Sequence, residues 1–201
     1  MSKKQKLLFA TGNAHKLTEL RQVLGQQYEI AGLKDLGIPT DIPETGVTLH
    51  ENAAQKAQYL YEKLGTPCLA EDTGLEVEAL DGAPGVYSAR FAGPDCNAEE
   101  NMKKLLNELE GCPNRKARFR TVIALVEGGE MTFFEGICPG TIARQSKGDK
   151  GFGYDPVFIP EGFDKTFAQM NAREKNAISH RKKAVELLAR HLNNHSINFR
   201  K

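Results

Sequence analysis

The sequence predicts an α/β protein, and three observations point there. The apolar run Leu7-Leu8-Phe9-Ala10 passes through Thr11-Gly12-Asn13 into a helical pattern, with Leu17, Leu20, Val23 and Leu24 on one face. A second helical pattern, Leu49 to Leu64, gives way at Gly65-Thr66-Pro67 to another apolar run, Cys68-Leu69-Ala70. Farther on, Ala117, Phe119, Thr121, Ile123 and Leu125 alternate with Val122, Ala124 and Val126, which makes both faces of one strand apolar. The 201 residues are read as a single domain, 1–201.

Each element follows from local chemistry. The first helix ends at Gly25, and Tyr28-Glu29-Ile30 is a short strand. Leu36 to Gly46 is irregular, with Pro39 and Pro43, and carries Asp41 and Glu44. Thr48 and Glu51 have the spacing of a capping box, so the next helix starts there. Most of that helix reads as scaffold. Glu71 and Asp72 read as a tight turn, followed by the alternating strand Leu75 to Leu80. A turn cluster at 81–85 and a helix from Ala98 to Leu109 come next. Gly128-Gly129 joins the doubly buried strand to a partner at Thr132 to Cys138, which Pro139-Gly140 ends or bends. Val157 to Pro160 is a last strand. Ser179 caps a terminal helix whose buried stripe is Ala184, Val185, Leu187, Leu188 and Leu192, with Glu186 and Arg190 as an exposed pair.

Composition excludes several functions. The chain is 40% apolar and 26% charged with a formal net charge of +1, which provides no basic field for nucleic acid. No apolar run is long enough to span a bilayer, and the basic opening Met1 to Lys6 is followed by too short a run for a signal peptide. Cys68, Cys96, Cys112 and Cys138 show no CxxC spacing, so free thiols in a reducing cytoplasm are expected.

Four stretches carry chemistry. At Thr11-Gly12-Asn13-Ala14-His15-Lys16, a glycine turn points backbone N–H groups and a helix N-terminus at an anion, and Lys16 adds a cation there. Adjacent carboxylates at Glu71-Asp72 repel unless a cation answers them, and Mg²⁺ takes carboxylate oxygens. In Gly151-Phe152-Gly153-Tyr154-Asp155, glycines let a ligand approach and Phe152 offers a stacking face, worth roughly 1–3 kcal/mol per base. His180, Arg181, Lys182 and Lys183 load a helix start with cations, which opposes the helix dipole and so suggests recognition of an anion or carbonyl. Arg90 is a candidate phosphate ligand. Together these are the parts of a nucleotide site, and no GxSxG or Cys–His nucleophile signature competes with them. The matching chemistry is water attacking a phosphoryl group, with a metal neutralising charge and a carboxylate taking the proton.

Six blocks in order carry a resemblance. They are Thr11-Gly12-Asn13 with Lys16, Glu44-Thr45-Gly46 before Glu51-Asn52-Ala53, Ala70 to Leu75, Gly82 to Arg90, Gly151 to Pro156, and Lys175 to Arg181. The chain resembles the inosine/xanthosine triphosphate pyrophosphatases from about Leu7 to about Leu192. The resemblance implies a long mixed β-sheet with flanking helices, in two lobes around a central active-site cleft. It implies cleavage of XTP, ITP or dITP to monophosphate and pyrophosphate with Mg²⁺, by a cytoplasmic homodimer. By position, Thr11 to Lys16 would hold phosphates, Glu44 and Asp72 the metal, and Asp72 would be the general base. Thr73 would touch substrate, and Phe152, Gly153, Tyr154, Asp155, Lys175, His180 and Arg181 would enclose the base. Glu71 stands where Asp is usual and Thr73 where Ser is usual, which leaves Glu71 a supporting role. A related pyrophosphatase for modified pyrimidine nucleotides, and a nucleotide-binding module without turnover, are the alternatives.

Overall fold

The computed structural model describes residues 4–194, and the basic opening at Met1 to Lys3 lies outside them. β1 (Gln5–Phe9) leads into α1 (Ala14–Leu24), and β2 (Tyr28–Gly32) returns parallel to β1. A parallel return needs a crossover, and α1 supplies it. α2 (Leu49–Leu64) opens on the expected capping box: Thr48 Oγ1 accepts from Glu51 N, and the Glu51 carboxylate accepts from Thr48 N, each at 3.1 Å. It ends at Gly65, whose φ of 64° suits glycine.

β3 (Cys68–Val77) departs from expectation. The acidic pair lies in a continuous strand of 10 residues and makes no turn. Successive side chains leave a strand on opposite faces. Glu71 and Asp72 therefore do not sit side by side, and the repulsion that argued for a shared cation is relieved. The strand stops at Val77, and residues Glu78–Leu80, expected to continue it, form a 3₁₀ turn. β4 (Pro84–Gly85) pairs antiparallel with β3.

α3 (Ala98–Glu108) is capped by Asn97, whose side chain accepts from Glu99 N and Glu100 N. β5 (Lys116–Glu127) turns at Gly128-Gly129 into β6 (Glu130–Ile142), which runs on through Pro139 and Gly140. β7 (Phe158–Pro160) pairs antiparallel with β6. The expected terminal helix is α5 (His180–Asn194), starting directly after Ser179, and a separate short helix that was not expected, α4 (Ala172–Ile178), precedes it. Among the described residues the seven strands form one mixed sheet, ordered β2-β1-β3-β5-β6-β7 with β4 beside β3. No helix among them is long and apolar enough to cross a membrane.

The chain forms two compact units. The first takes the chain to Asp72, Val122–Glu135 and the chain from Lys182; the second takes Thr73–Thr121 and Gly136–Arg181. In the first, Leu7, Phe9 and Leu69 pack with Leu20 and Leu24 of α1, Ile123 and Leu125 of β5, and Val185 and Leu188 of α5. Leu187, expected in that stripe, is 42% exposed, and Glu186 pairs with Lys182 at 2.8 Å. In the second, Leu75, Val77, Leu105, Phe119, Phe158 and Phe167 form the core. β5 serves both. Its Val122–Val126 stretch is buried on both faces as expected, while Ala117, Phe119 and Thr121 alternate with the more exposed Lys116, Arg118 and Arg120.

Candidate active site

In the first unit, the turn before α1 is shaped by its own side chains. Thr11 Oγ1 accepts from Asn13 N at 3.1 Å, and Asn13 Oδ1 accepts from His15 N at 2.9 Å and Lys16 N at 3.2 Å. Asn13 thus caps the helix, and its oxygen takes two of the N–H groups that a phosphate would otherwise use. Gly12 is required by a close approach: a Cβ there would lie 2.7 Å from the Thr40 side chain. Ala14 and His15 are exposed. Lys16 extends to Glu71, with Nζ 3.3 Å from Oε1 of a carboxylate that is nearly fully buried.

Asp72 leaves β3 on the face opposite Glu71 and meets a different lysine. Lys56 of α2 places Nζ 2.6 Å from Glu44 Oε1 and 3.1 Å from Asp72 Oδ1. Asn52, one helical turn earlier, donates from Nδ2 to Asp72 Oδ2 at 3.4 Å and accepts from Gly46 N at 2.8 Å. Thr45 N donates to Gln55 Oε1 at 3.0 Å, so the loop carrying Glu44 is tied to α2 by residues Glu44, Thr45 and Gly46. Lys56 and Asp72 are both buried. Burial raises the Asp72 carboxyl above the usual range, against the pull of Lys56 and Lys16, and Glu44 adds to the rise. Burial works against the charge on Lys56, but Asp72 and Glu44 outweigh it and hold the ammonium above its ordinary value. Carboxylates at Glu44, Glu71 and Asp72 share this region with ammonium groups at Lys16 and Lys56.

A second group lies in the other unit. Asp155, nearly fully buried, accepts from Phe152 N at 2.8 Å and from Lys175 Nζ at 2.5 Å. Burial raises its carboxyl, opposed by Lys175. Phe152 is 37% exposed, with Lys175 Nζ 4.9 Å and Arg181 Cζ 5.7 Å from its ring centroid. Gly151 is required here, because a Cβ would overlap the Asp155 carboxylate and φ is +78°. Tyr154 turns inward and donates to Ser88 O at 2.9 Å. His180 is buried, with its ring stacked on Phe119 at 4.7 Å. Thr73 shares a hydrogen bond of 2.7 Å with Thr121. Arg90 stands over the Tyr87 ring at 5.1 Å.

The structure therefore brings Glu44 and Asp72 together on Lys56 and pairs Glu71 with Lys16, and it gathers Phe152, Asp155, Lys175 and Arg181 in another group. Sequence reasoning passed over Lys56 and Asn52. The signal for Lys56 was present: a lysine on the apolar face of α2 is out of place, because lysine is almost never buried without a partner. The four cysteines are free, and burial pushes the Cys68 thiol up to about 12, which makes it a poor nucleophile. A cavity of about 730 Å³ in the second unit, lined by Glu76, Lys116, Arg118, Thr141, Ile159 and Phe163 among others, includes none of the candidate residues.

The Ham1 family model matches residues 7–191. The chain belongs to the Ham1 family. It is 55% identical over 185 residues to the dITP/XTP pyrophosphatase of Porphyromonas gingivalis, covering 92% of this chain and 95% of that one. It is 50% identical over 183 residues to the dITP/XTP pyrophosphatase of Flavobacterium johnsoniae, covering 91% and 95%. A solved HAM1 protein from Coxiella burnetii superposes with a TM-score of 0.89 at 38% identity, covering 95% of this chain and 100% of that one. The α/β fold expected from the sequence is the fold of this family.

Glu44 and Asp72 bear on which ion a Ham1 chain of this sequence accepts. Two hard-oxygen carboxylates already converge on one cation, the Lys56 ammonium. Among the described residues no group of three or more His, Cys, Asp or Glu side chains is placed to hold a metal. Glu44 and Asp72 are the residues that could hold a metal, since a hard divalent cation can bind through two carboxylates and take its remaining oxygens from water and phosphates.

Proposed function

We propose that this chain hydrolyses the non-standard purine nucleoside triphosphates dITP, XTP and ITP to the monophosphate and pyrophosphate. The observation that carries the reading is the Glu44–Lys56–Asp72 arrangement, with Lys56 and Asp72 buried and Glu44 half-buried, in a chain of this family. Glu44 and Asp72 would hold Mg²⁺, which when bound neutralises charge developing on phosphoryl oxygens. Asp72 takes a proton from the attacking water. Burial favours this role, since a carboxylate raised toward working pH is a stronger base than an exposed one. Lys16 serves the phosphates. Glu71, bonded to Lys16, keeps that ammonium in place. The water oxygen becomes part of the monophosphate, and the anhydride bond to the leaving pyrophosphate breaks.

Phe152 gives the base a stacking face, and Lys175 and Arg181 stand beside that ring as donors. Hypoxanthine and xanthine carry a 6-oxo group that accepts from these cations, where adenine carries an amine. An unmatched buried donor makes adenine the poorer ligand. His180 supports the wall through its stack on Phe119. The homodimer implied by the resemblance belongs to the same proposal, and light scattering on the purified chain reads it.

The decisive experiment incubates the chain with dITP, XTP, ITP, dATP, dGTP and modified pyrimidine triphosphates, with Mg²⁺ or with EDTA. Pyrophosphate release from the first three with Mg²⁺ is the expected result. Orthophosphate as the only product, turnover confined to pyrimidines, or binding without turnover would each overturn the reading.

A further inference from the structure

The loop that carries Phe152 and Asp155 contains no helix or strand, yet it is fastened at its base. Lys147 N donates to Pro156 O at 2.8 Å and closes the loop. The rest of the fastening comes from the 3₁₀ turn Phe167–Gln169 and the residue before it. Thr166 is fully buried, and its hydroxyl donates to Lys147 O at 2.7 Å. Its own N–H donates to Gln169 Oε1 at 2.9 Å, which fixes the turn. Ala168 N donates to Asp155 O at 3.1 Å, and Ala168 O accepts from Lys150 N at 3.2 Å. Gly148 lets the two segments come this close: a Cβ there would lie 2.5 Å from the Ala168 carbonyl carbon, at a φ of +85°.

We propose that Thr166 is a positioning residue that sets nucleobase discrimination by fixing the loop 147–156. Its hydroxyl holds the carbonyl at the loop's first residue, and the turn it begins holds the backbone of Asp155. Asp155 in turn holds both Phe152 N–H and the Lys175 ammonium. One buried hydroxyl therefore governs the spacing between the stacking ring and the cation beside it. The inference rests on the proposal that Phe152 and Lys175 receive the base.

The test compares Thr166→Val, which keeps shape and removes the donor, with Thr166→Ser, which keeps the donor. In Thr166→Val the KM for dITP rises about tenfold with kcat within about twofold, because a displacement near 1 Å is enough to disturb a preformed site. The ratio of kcat/KM for dITP over dATP falls by about the same factor, and Thr166→Ser restores both to within about twofold. Hydrogen exchange of the Lys150 and Phe152 amides quickens in Thr166→Val while α3 is unchanged. A purely structural role would lower the melting temperature without moving KM, the ratio or local exchange. That result in a folded Thr166→Val protein overturns the proposal, as does a Ser variant as impaired as Val. If Thr166→Val does not fold, Gly148→Ala disturbs the packing of the same two segments at Ala168 from the loop side, and an unchanged KM there is equally decisive against it. Failure of the wild-type chain to hydrolyse dITP would instead refute the reading of the site, and hydrogen exchange alone would then decide the positioning claim.

Discussion

Replacing Lys56 with methionine keeps the length of the side chain and removes its charge. In the wild-type chain the ammonium lies 2.6 Å from Glu44 and 3.1 Å from Asp72, and the Lys56 side chain is 8% exposed. Removing one partner from a buried ion pair costs about 3–5 kcal/mol, because the other is left uncompensated. At about 2–4 °C per kcal/mol for a chain of this size, the melting temperature falls by about 6–20 °C. The effect on the base is separate. Lys56 is the strongest influence holding the Asp72 carboxyl down against burial. A nearby opposite charge favours the ionised carboxylate, so its loss lets the Asp72 carboxyl rise further. Only ionised Asp72 accepts a proton, so the acid limb of kcat/KM for dITP moves to higher pH. The stability penalty has a sign of its own. A carboxyl with a raised folded pKa costs stability once ionised, so the gap in melting temperature between Lys56→Met and wild type narrows as pH falls toward about 4. The assays are a pH–rate profile and thermal melts across pH. A folded Lys56→Met protein whose acid limb has not moved would refute the claim that Lys56 sets the charge of Asp72.

Three other substitutions separate the remaining roles. Asp72→Asn lowers kcat about 10²–10⁴-fold, the usual contribution of a general base, and keeps the fold by circular dichroism because Glu44 still holds Lys56; near-normal turnover would remove Asp72 from that role. Phe152→Ala loses stacking worth roughly 1–3 kcal/mol, so KM for dITP rises about 5- to 150-fold in steady-state assays, and an unchanged KM would take Phe152 away from the base. Glu71→Gln lowers the melting temperature through its contact with Lys16 but leaves the Mg²⁺ concentration for half-maximal activity within about twofold; a large change in that concentration would place Glu71 among the metal ligands.

What the sequence revealed follows from the range of the forces involved. α1, α2 and β5 were legible because caps, apolar spacing and glycine stops act within a few residues. The Thr48–Glu51 box and the Gly128-Gly129 hairpin are such local devices. The two-part end of the chain was not, because Ser179 has the composition of a cap and nothing local shows that a separate helix precedes it. Leu187 was misplaced by one helical position for a similar reason: the stripe is read from spacing, while its edge is set by what packs against it.

Lys56 marks the deeper limit. Its partners Glu44 and Asp72 lie 12 and 16 residues away along the chain, and only folding brings them to one point. The same fact changes the meaning of Glu71-Asp72. Two adjacent acids looked like a metal turn because their charges were imagined together. A continuous strand sends them to opposite faces, and each is met by a lysine from a different helix, Lys16 from α1 and Lys56 from α2. The division of labour follows from that geometry. Asp72 shares its cation with a second carboxylate, Glu44, so its region can exchange an ammonium's charge for a metal's. Glu71 meets Lys16, so in the proposed function it is the residue that holds that lysine.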